Sequence, residues 1–228
     1  MERLQFLEYL IKNRNFKNYL EIGVEEGHIF FKVKCPNKIA VDPKFIINPR
    51  WKIRHWLYYP LNIFNRFFEK TSDKFFDQNA PKVYSRKKIH LALVDGMHEY
   101  EFALRDIENT VEYMEADSVI LVHDCNPIIK QASVSFKDWE ARQFTGHWNG
   151  DVWKAILHIR SLRKDLTAFV LDCDHGIGFI TKKKDDNTLS FTEEEIQKLT
   201  FENFELNRDI WLDLKPEKYF FEYFKIST

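Results

Sequence analysis

Glycine and proline are scarce, seven of each in 228 residues, so each glycine invites the question of what its position requires. Cysteine is scarcer still. Cys35, Cys125 and Cys173 are an odd count with no CxxC pair, which argues against a disulfide framework and a zinc site and fits a reducing cytoplasm. Net charge is almost absent: 34 basic against 35 acidic residues leave no global field for nucleic acid or an anionic membrane, and binding to a polyanion would need a local patch. No stretch approaches the ~20 apolar residues of a membrane span. The first residues are interrupted by Glu2, Arg3, Glu8 and Lys12 and lack the apolar core of an export signal, so the chain reads as unexported. No internal repeat or low-complexity tract is present.

What is abundant is aromatic. With 21 Phe, 9 Tyr and 6 Trp in a composition that is 44% hydrophobic, large rings must fill the interior, and one α/β domain is the starting expectation. Leu4, Leu7, Leu10 and Ile11 recur at helical spacing and predict an N-terminal amphipathic helix. "NYLEIGV" and "KIAVDP" read as buried strands, with a short helix between them up to about Lys34. Residues 44–66, aromatic and basic and broken by Pro49 and Pro60, read as an irregular excursion near the sheet edge or the mouth of a pocket. "RFFEKTSDKFF" holds a third strand and then a helix over Asp73 to Gln78.

Ile89 to Val94 is a fourth strand. Tyr100, Ala103, Leu104, Ile107, Val111 and Met114 form the stripe of a helix over Glu99–Glu115, and "SVILVHD" is a fifth strand. "DVWKAILHIRSL" reads as a helix, and "LTAFVLDCDHGIGFIT" as two strands turning near His175 and Gly176, one of them antiparallel at the sheet edge. The tail from Asn187 is helical, opens on a Thr192/Glu195 capping box, and ends in aromatics that suggest a docked extension. Alternating strands and helices with continuous apolar strands imply a mostly parallel sheet covered on both faces.

In such a sheet, ligands bind outside the carboxyl ends of the strands. Gly23 and Gly27 follow the first strand, Asp42 ends the second, Asp95 the fourth and Asp124 the fifth. A glycine turn lets a ligand approach the backbone, although a tight structural turn would use the same residue. Gly23 and Gly27 lack the GxGxxG spacing of a dinucleotide site. Asp42 follows Gly23 by about twenty residues, where an acid can accept bonds from ribose hydroxyls, or simply form a turn before Pro43. A ribose without a diphosphate points to an adenosyl cofactor.

Together "YLEIGVEEGH", "AVDP", "EKTSDKFF", "LALVDGMHEYEFALRDIENTV", "VILVHDCNP" and "GDVWKAI" resemble the class I S-adenosylmethionine-dependent methyltransferases, in particular a bacterial group with an Asp-Gly-x-His-x-Tyr segment and a strand ending in His-Asp. The matches run in consistent order over roughly residues 15 to 182. The resemblance implies a Rossmann-like, doubly wound, seven-stranded sheet, mostly parallel with the last strand antiparallel. Residues 1–185 would be the methyltransferase domain, including the N-terminal helix, and 186–228 a helical extension docked on it. Glu21, Gly23 and Gly27 would surround the methionine portion of S-adenosylmethionine, Asp42 the ribose, Ser72 and Asp73 the adenine, and Asp95 the reactive end. "EADSVIL", with Asp117 and Ser118, departs from the Gly-Gly turn of many members, at the strand end far from the cofactor.

Methyl transfer from a sulfonium is an in-line displacement, and a hydroxyl acceptor must also lose its proton. Two solutions are visible: His98 or His123 as base, or a metal that lowers the hydroxyl pKa. Asp95, Asp124 and Asn126 offer an all-oxygen set suited to Mg²⁺ or another hard cation, an arrangement resembling that of metal-dependent O-methyltransferases. Each imidazole has a plainer role open to it, His98 as a helix cap and His123 as a buried, backbone-bonded residue. Asp151, Trp148 and Trp153 suit the rings and hydroxyls of a sugar, although Gly150 and Asp151 could equally cap a helix. Cys125 reads as a small packed residue.

The expected function is O-methylation of a small-molecule or sugar hydroxyl in the cytoplasm, with no nucleic-acid partner and with a homodimer compatible. An NAD-dependent oxidoreductase lacks its third glycine, and a non-catalytic nucleoside-binding module would tolerate loss of Asp95 and Asp124. A metal hydrolase using His123 and Asp124 would want further paired histidines.

Overall fold

The apolar runs of the chain pair into one eight-stranded sheet in the computed structural model, which describes residues 1–141, 146–184 and 188–226. In chain order the elements are α1 (Arg3–Arg14), β1 (Asn18–Ile22), β2 (Asn37–Asp42), α2 (Pro49–Tyr58), a 3₁₀ turn (Pro60–Phe64), β3 (Arg66–Glu69), α3 (Ser72–Gln78), α4 (Ala80–Val83), β4 (Ile89–Val94), α5 (Tyr100–Glu112) and β5 (Met114–Val122). A second 3₁₀ turn (Lys130–Ser133), α6 (Phe136–Ala141), α7 (Trp153–Leu162), β6 (Thr167–Leu171), β7 (Ile177–Thr181), α8 (Glu193–Lys198), α9 (Phe201–Leu212), β8 (Leu214–Lys215) and α10 (Tyr219–Phe224) follow.

The strand order is β3-β2-β1-β4-β5-β7-β6-β8, and β7 alone runs antiparallel to its neighbours. It lies between β5 and β6, not at the edge as the hairpin reading expected. The seven expected strands are joined by an eighth, β8, which pairs parallel to β6 through Val170 and Leu171. β1 and β4 are adjacent although far apart in sequence, so the chain order reverses there and a crevice opens beyond their carboxyl ends.

Burial on both faces explains the unbroken apolar strands. Along β4, Ala92 and Val94 pack with α3, α5, α7 and α9, while Leu91 and Leu93 pack with Phe6, Leu7 and Leu10 of α1 and Phe220 and Phe224 of α10. The tail is therefore core: Phe220 is fully buried, its ring 4.8 Å from Phe6. Each such ring stabilises by about 1.5–3 kcal/mol relative to exposure. The domain boundary placed at residues 185 and 186 lies outside the described residues.

Two segments differ from expectation. Residues 24–34 form consecutive turns instead of a helix. The excursion over 44–66 is largely helical: Pro49 occupies the first turn of α2, where its missing N–H costs nothing, and the Asn48 side chain accepts from the Arg50 amide at 2.9 Å. No helix among the described residues is long and apolar enough to cross a membrane.

Candidate functional site

A cleft of about 740 Å³ opens at the carboxyl ends of β1, β2, β4 and β5. Of the residues expected there, Glu21, Gly23, Asp42, Ser72, Asp73, Asp95, His98, His123 and Asp124 line it. Gly23 has φ +83°, and a Cβ on it would lie 2.0 Å from the Asp95 carbonyl oxygen, so only glycine lets the ends of β1 and β4 approach this closely. Gly27 does not line the cleft. It closes a turn against the Phe31 ring, 2.7 Å from where a Cβ would stand.

The β1–β2 wall is held by backbone. The Asp42 carboxylate accepts the amides of Val24 (2.9 Å), Glu25 (2.8 Å) and Lys44 (2.7 Å), the turn-forming role that was its plainer reading. Glu21 is buried beneath the cleft, and burial pushes its carboxyl up to about 8 even though the Tyr19 hydroxyl donates to it at 2.5 Å. Asp106, on the buried side of α5, also lines the cleft; burial raises it to about 7 against a hydrogen bond from Ser72. At neutral pH this wall thus holds protonated or half-protonated carboxyls.

The β4–β5 wall is a network of side chains. His123 Nδ1 lies 2.8 Å from Asp124 Oδ2 and 3.1 Å from Asp95 Oδ1, and its Nε2 lies 3.5 Å from Asp174 Oδ1. His98 Nε2 is 3.2 Å from Asp124 Oδ2 and 3.7 Å from Asp95 Oδ1. His98 Nδ1 lies 2.6 Å from the Trp148 carbonyl, which can only accept, so Nδ1 carries a hydrogen and Nε2 is the atom that gains or loses the proton. Asp124 also receives His147 Nε2 at 2.5 Å and the Asn149 amide at 3.1 Å.

Arg3, from the start of α1, reaches across to Asp95 (3.3 Å) and Asp174 (3.2 Å). Burial opposes charge on every member of this group, but mutual attraction wins. Asp95 is held well below the usual carboxylate range by His123, His98 and Arg3, and Asp124 below it by His123 and His147. His98 is raised by Asp95 and Asp124, and His123 is raised well above its ordinary value by Asp95, Asp124 and Asp174. Asp124 itself sits at φ +62° with its side chain fully buried, a left-handed backbone that the surrounding contacts hold in place.

Other expected residues are placed elsewhere. Asn126 does not line the cleft: its Nδ2 donates to Asp172 at 3.1 Å, and its buried Oδ1, the atom expected as a ligand, has no hydrogen-bond partner among the described residues. Trp153 is core, stacked on Phe204 at 4.6 Å and Trp211 at 6.0 Å. Asp151 caps α5 by accepting the Tyr100 amide at 2.6 Å and pairs with Lys154 at 3.2 Å. Trp148 does stand by the cleft, 5.2 Å from the His98 ring and stacked on Trp139 at 5.2 Å. A Cβ on Gly150 would lie 1.5 Å from the His98 carbonyl oxygen, so this glycine permits the close packing of the 149–151 turn against His98.

Arg3, Asp106, His147 and Asp174 are site residues that sequence reasoning missed. Asp106 carried a signal, a carboxyl three residues after Ala103 on the apolar side of α5, and His147 stood beside a singled-out Trp148. Arg3 and Asp174 carried none, because only the fold brings them to Asp95 and His123.

Two overlapping donor sets, Asp95/His98/Asp124 and His123/Asp124/His147, each hold their ligand atoms within 4.8 Å of one another. Mixed imidazole and carboxylate donors suit a borderline ion such as Mn²⁺ or Zn²⁺ better than Mg²⁺.

Residues 20–125 match the family model described as a methyltransferase domain. No curated protein sequence matches the chain. Among solved structures it is similar to a putative O-methyltransferase from Klebsiella pneumoniae (12% identity, TM-score 0.57, covering 79% of this chain and 80% of that one). It is also similar to the O-methyltransferase TomG of tomaymycin synthesis from Streptomyces achromogenes, in complex with SAM (11%, TM-score 0.57, 79% of each chain). A third is an O-methyltransferase from Bacillus cereus in complex with SAH (12%, TM-score 0.52, 78% of each chain). Likeness at such identity speaks for the fold: the chain has the class I methyltransferase fold of these structures, and its residues 20–125 are similar to the methyltransferase domain of the family model.

Proposed function

We propose that the chain transfers a methyl group from S-adenosylmethionine to a hydroxyl oxygen of a small molecule, such as a sugar met by the Trp148 ring beside His98. The observation that carries this reading is the convergence of Asp95, His98, His123 and Asp124 on the cleft that Gly23 opens. The cofactor would lie along the β1–β2 wall, with Glu21 and Gly23 at its methionine portion, Asp42 at the ribose, and Ser72 and Asp73 at the adenine. In the reaction the acceptor oxygen forms a bond to the methyl carbon as the carbon–sulfur bond breaks, and the acceptor proton passes to a base.

His98 Nε2 is the base in this reading. The Trp148 carbonyl orients the ring by accepting Nδ1–H, Asp124 and Asp95 stabilise the imidazolium formed, and the Trp148 ring lies beside it. Because those carboxylates raise His98, its base form appears only as pH climbs above the ordinary histidine value of about 6.5. kcat/KM should therefore rise with pH through a step above that value.

A divalent ion is the second reading, favoured by the two donor sets. Asp95, His98 and Asp124 would hold it, and it would supply a Lewis acid that lowers the pKa of the acceptor hydroxyl. Turnover of S-adenosylmethionine measured after chelation, with and without added Mn²⁺, separates the two. Activity that survives chelation and falls in His98→Ala supports the base. Activity lost on chelation and restored by the ion supports the metal.

A further inference from the structure

The segment between Asp42 and Glu69 contains Lys44, Arg50, Lys52, Arg54 and Arg66 and no acidic residue, in a chain whose net charge is −1. It is also where apolar side chains face outward. Among the described residues, half of the exposed large hydrophobics fall here: Ile46, Ile53, Leu57, Tyr58, Leu61, Ile63 and Phe64. Leu57 is 82% exposed and Phe64 71%, values that a solvent-facing surface gives no reason for. On α2, Arg50, Ile53, Arg54 and Leu57 are all exposed and follow the three- and four-residue spacing of one helical face, so the face mixes guanidinium with aliphatic groups.

The inner side of the segment is firmly anchored. His55 stacks on Phe31 at 5.6 Å, and the buried Asn62 amide donates to the carbonyls of Phe31 and His55, both at 3.0 Å. The outward apolar face is thus a fixed feature of the fold. The acids at its Ile46 end are Glu25, whose carbonyl accepts the Ile46 amide, Glu26, paired with His28, and Glu69, whose carboxylate accepts the Phe45 amide. None lies in α2 or the 3₁₀ turn, and among the described residues Arg50 and Arg54 form no ion pair, so the positive sign is kept there.

We propose that this surface docks on an anionic lipid bilayer, lying in the interface with Leu57, Ile63 and Phe64 in the acyl boundary and the arginines at the headgroups. Basic residues on one face and exposed aliphatic and aromatic groups on the same element are what interfacial binding uses. Nucleic acid would engage the cations and leave the aliphatic side chains in water. A second copy meeting the same face of α2 through a two-fold axis would bring the Arg50 and Arg54 of both copies into one interface. The proposal does not depend on the reaction assigned to the cleft.

The test is sedimentation of the full-length chain with vesicles of phosphatidylcholine alone and of phosphatidylcholine mixed with phosphatidylglycerol. We expect pelleting with the mixed vesicles, weakening as salt rises above about 0.1 M because the Debye length shortens. Arg50→Ala/Arg54→Ala should lower the partition coefficient about 25-fold, at about fivefold per cation near the surface. Leu57→Ser/Phe64→Ser should reduce it on both vesicle types, and since all four side chains are exposed, thermal melts should show both variants folded. No pelleting with mixed vesicles, or pelleting that neither variant changes, overturns the proposal. So does a dimer in light scattering that Leu57→Ser/Phe64→Ser abolishes, which would give the patch to a second copy, or binding to duplex DNA without binding to vesicles.

Discussion

Asp42 and Asp124 begin as the same feature, a carboxylate at the end of an apolar strand, and end as opposites. Asp42 accepts three backbone amides, two on Oδ2 and one on Oδ1, and shapes the 23–25 and 43–44 turns. Asp124 meets three imidazoles and an amide side chain, all on groups that can move protons or ligate an ion. A strand-end acid facing backbone N–H groups shapes the wall of the cleft, whereas one facing imidazoles joins a titratable network. Cationic neighbours make a similar division among buried carboxyls: Glu21 and Asp106, where burial prevails, are raised to about 8 and about 7, whereas Asp95 and Asp124, facing imidazoles and, at Asp95, Arg3, are held low.

The sharpest way to break the comparison is to neutralise each aspartate. Asp124→Asn removes the charge shared by His98, His123 and His147 and turns one acceptor oxygen into a donor, and kcat/KM should fall about a thousandfold, within the range for acid–base machinery. Asp42→Asn should instead cost about 2 kcal/mol of stability, the scale of a hydrogen bond to a charged acceptor, with kcat unchanged and KM for the cofactor raised. If Asp42→Asn lowers kcat as much as Asp124→Asn, the division between the walls fails. His98→Ala should cost about a hundredfold and erase the pH step of kcat/KM. Arg3→Ala should cost about tenfold and move the step, because removing that cation deepens the field of Asp95 at His98 and raises the pKa further; Arg3→Lys should restore part of the rate.

The smallest effect is on the quiet wall. The Glu21 carboxyl is raised in the folded chain, so its stabilising contribution is complete below about 4.5 and lost as pH rises through about 8. Glu21→Gln should therefore melt a few degrees above the parent at pH 9, by less at pH 6, and near it at pH 4, read by calorimetry. A variant that melts lower at all three values would show that the buried carboxyl is ionised after all.

Much of this was legible in the sequence. β4, from Ile89 to Val94, and the α5 stripe were readable because burial on two faces, or on one, writes a run or a 3.6-residue period directly into the chain. The Thr192/Glu195 capping box was local and appears as read. α2 was missed because its aromatic, basic composition lacks an inward stripe; the readable sign was Asn48-Pro49, a cap followed by a first-turn proline. Asn126 was expected beside Asp124 from chain proximity, but the sharp turn at Asp124 carries it toward Asp172. Arg3 and Asp174 reach the site from 92 and 79 residues away from Asp95, and no local pattern records such contacts. β8, two residues long, is too short to show a period.

The proposed function requires the cleft beside Gly23 and Asp124 to take an adenosyl cofactor. Isothermal titration of the full-length chain with S-adenosylhomocysteine tests it most directly, with NAD as the competing ligand. The account predicts saturable binding of one S-adenosylhomocysteine per chain and no heat from NAD. Saturable binding of NAD with none of S-adenosylhomocysteine would contradict it.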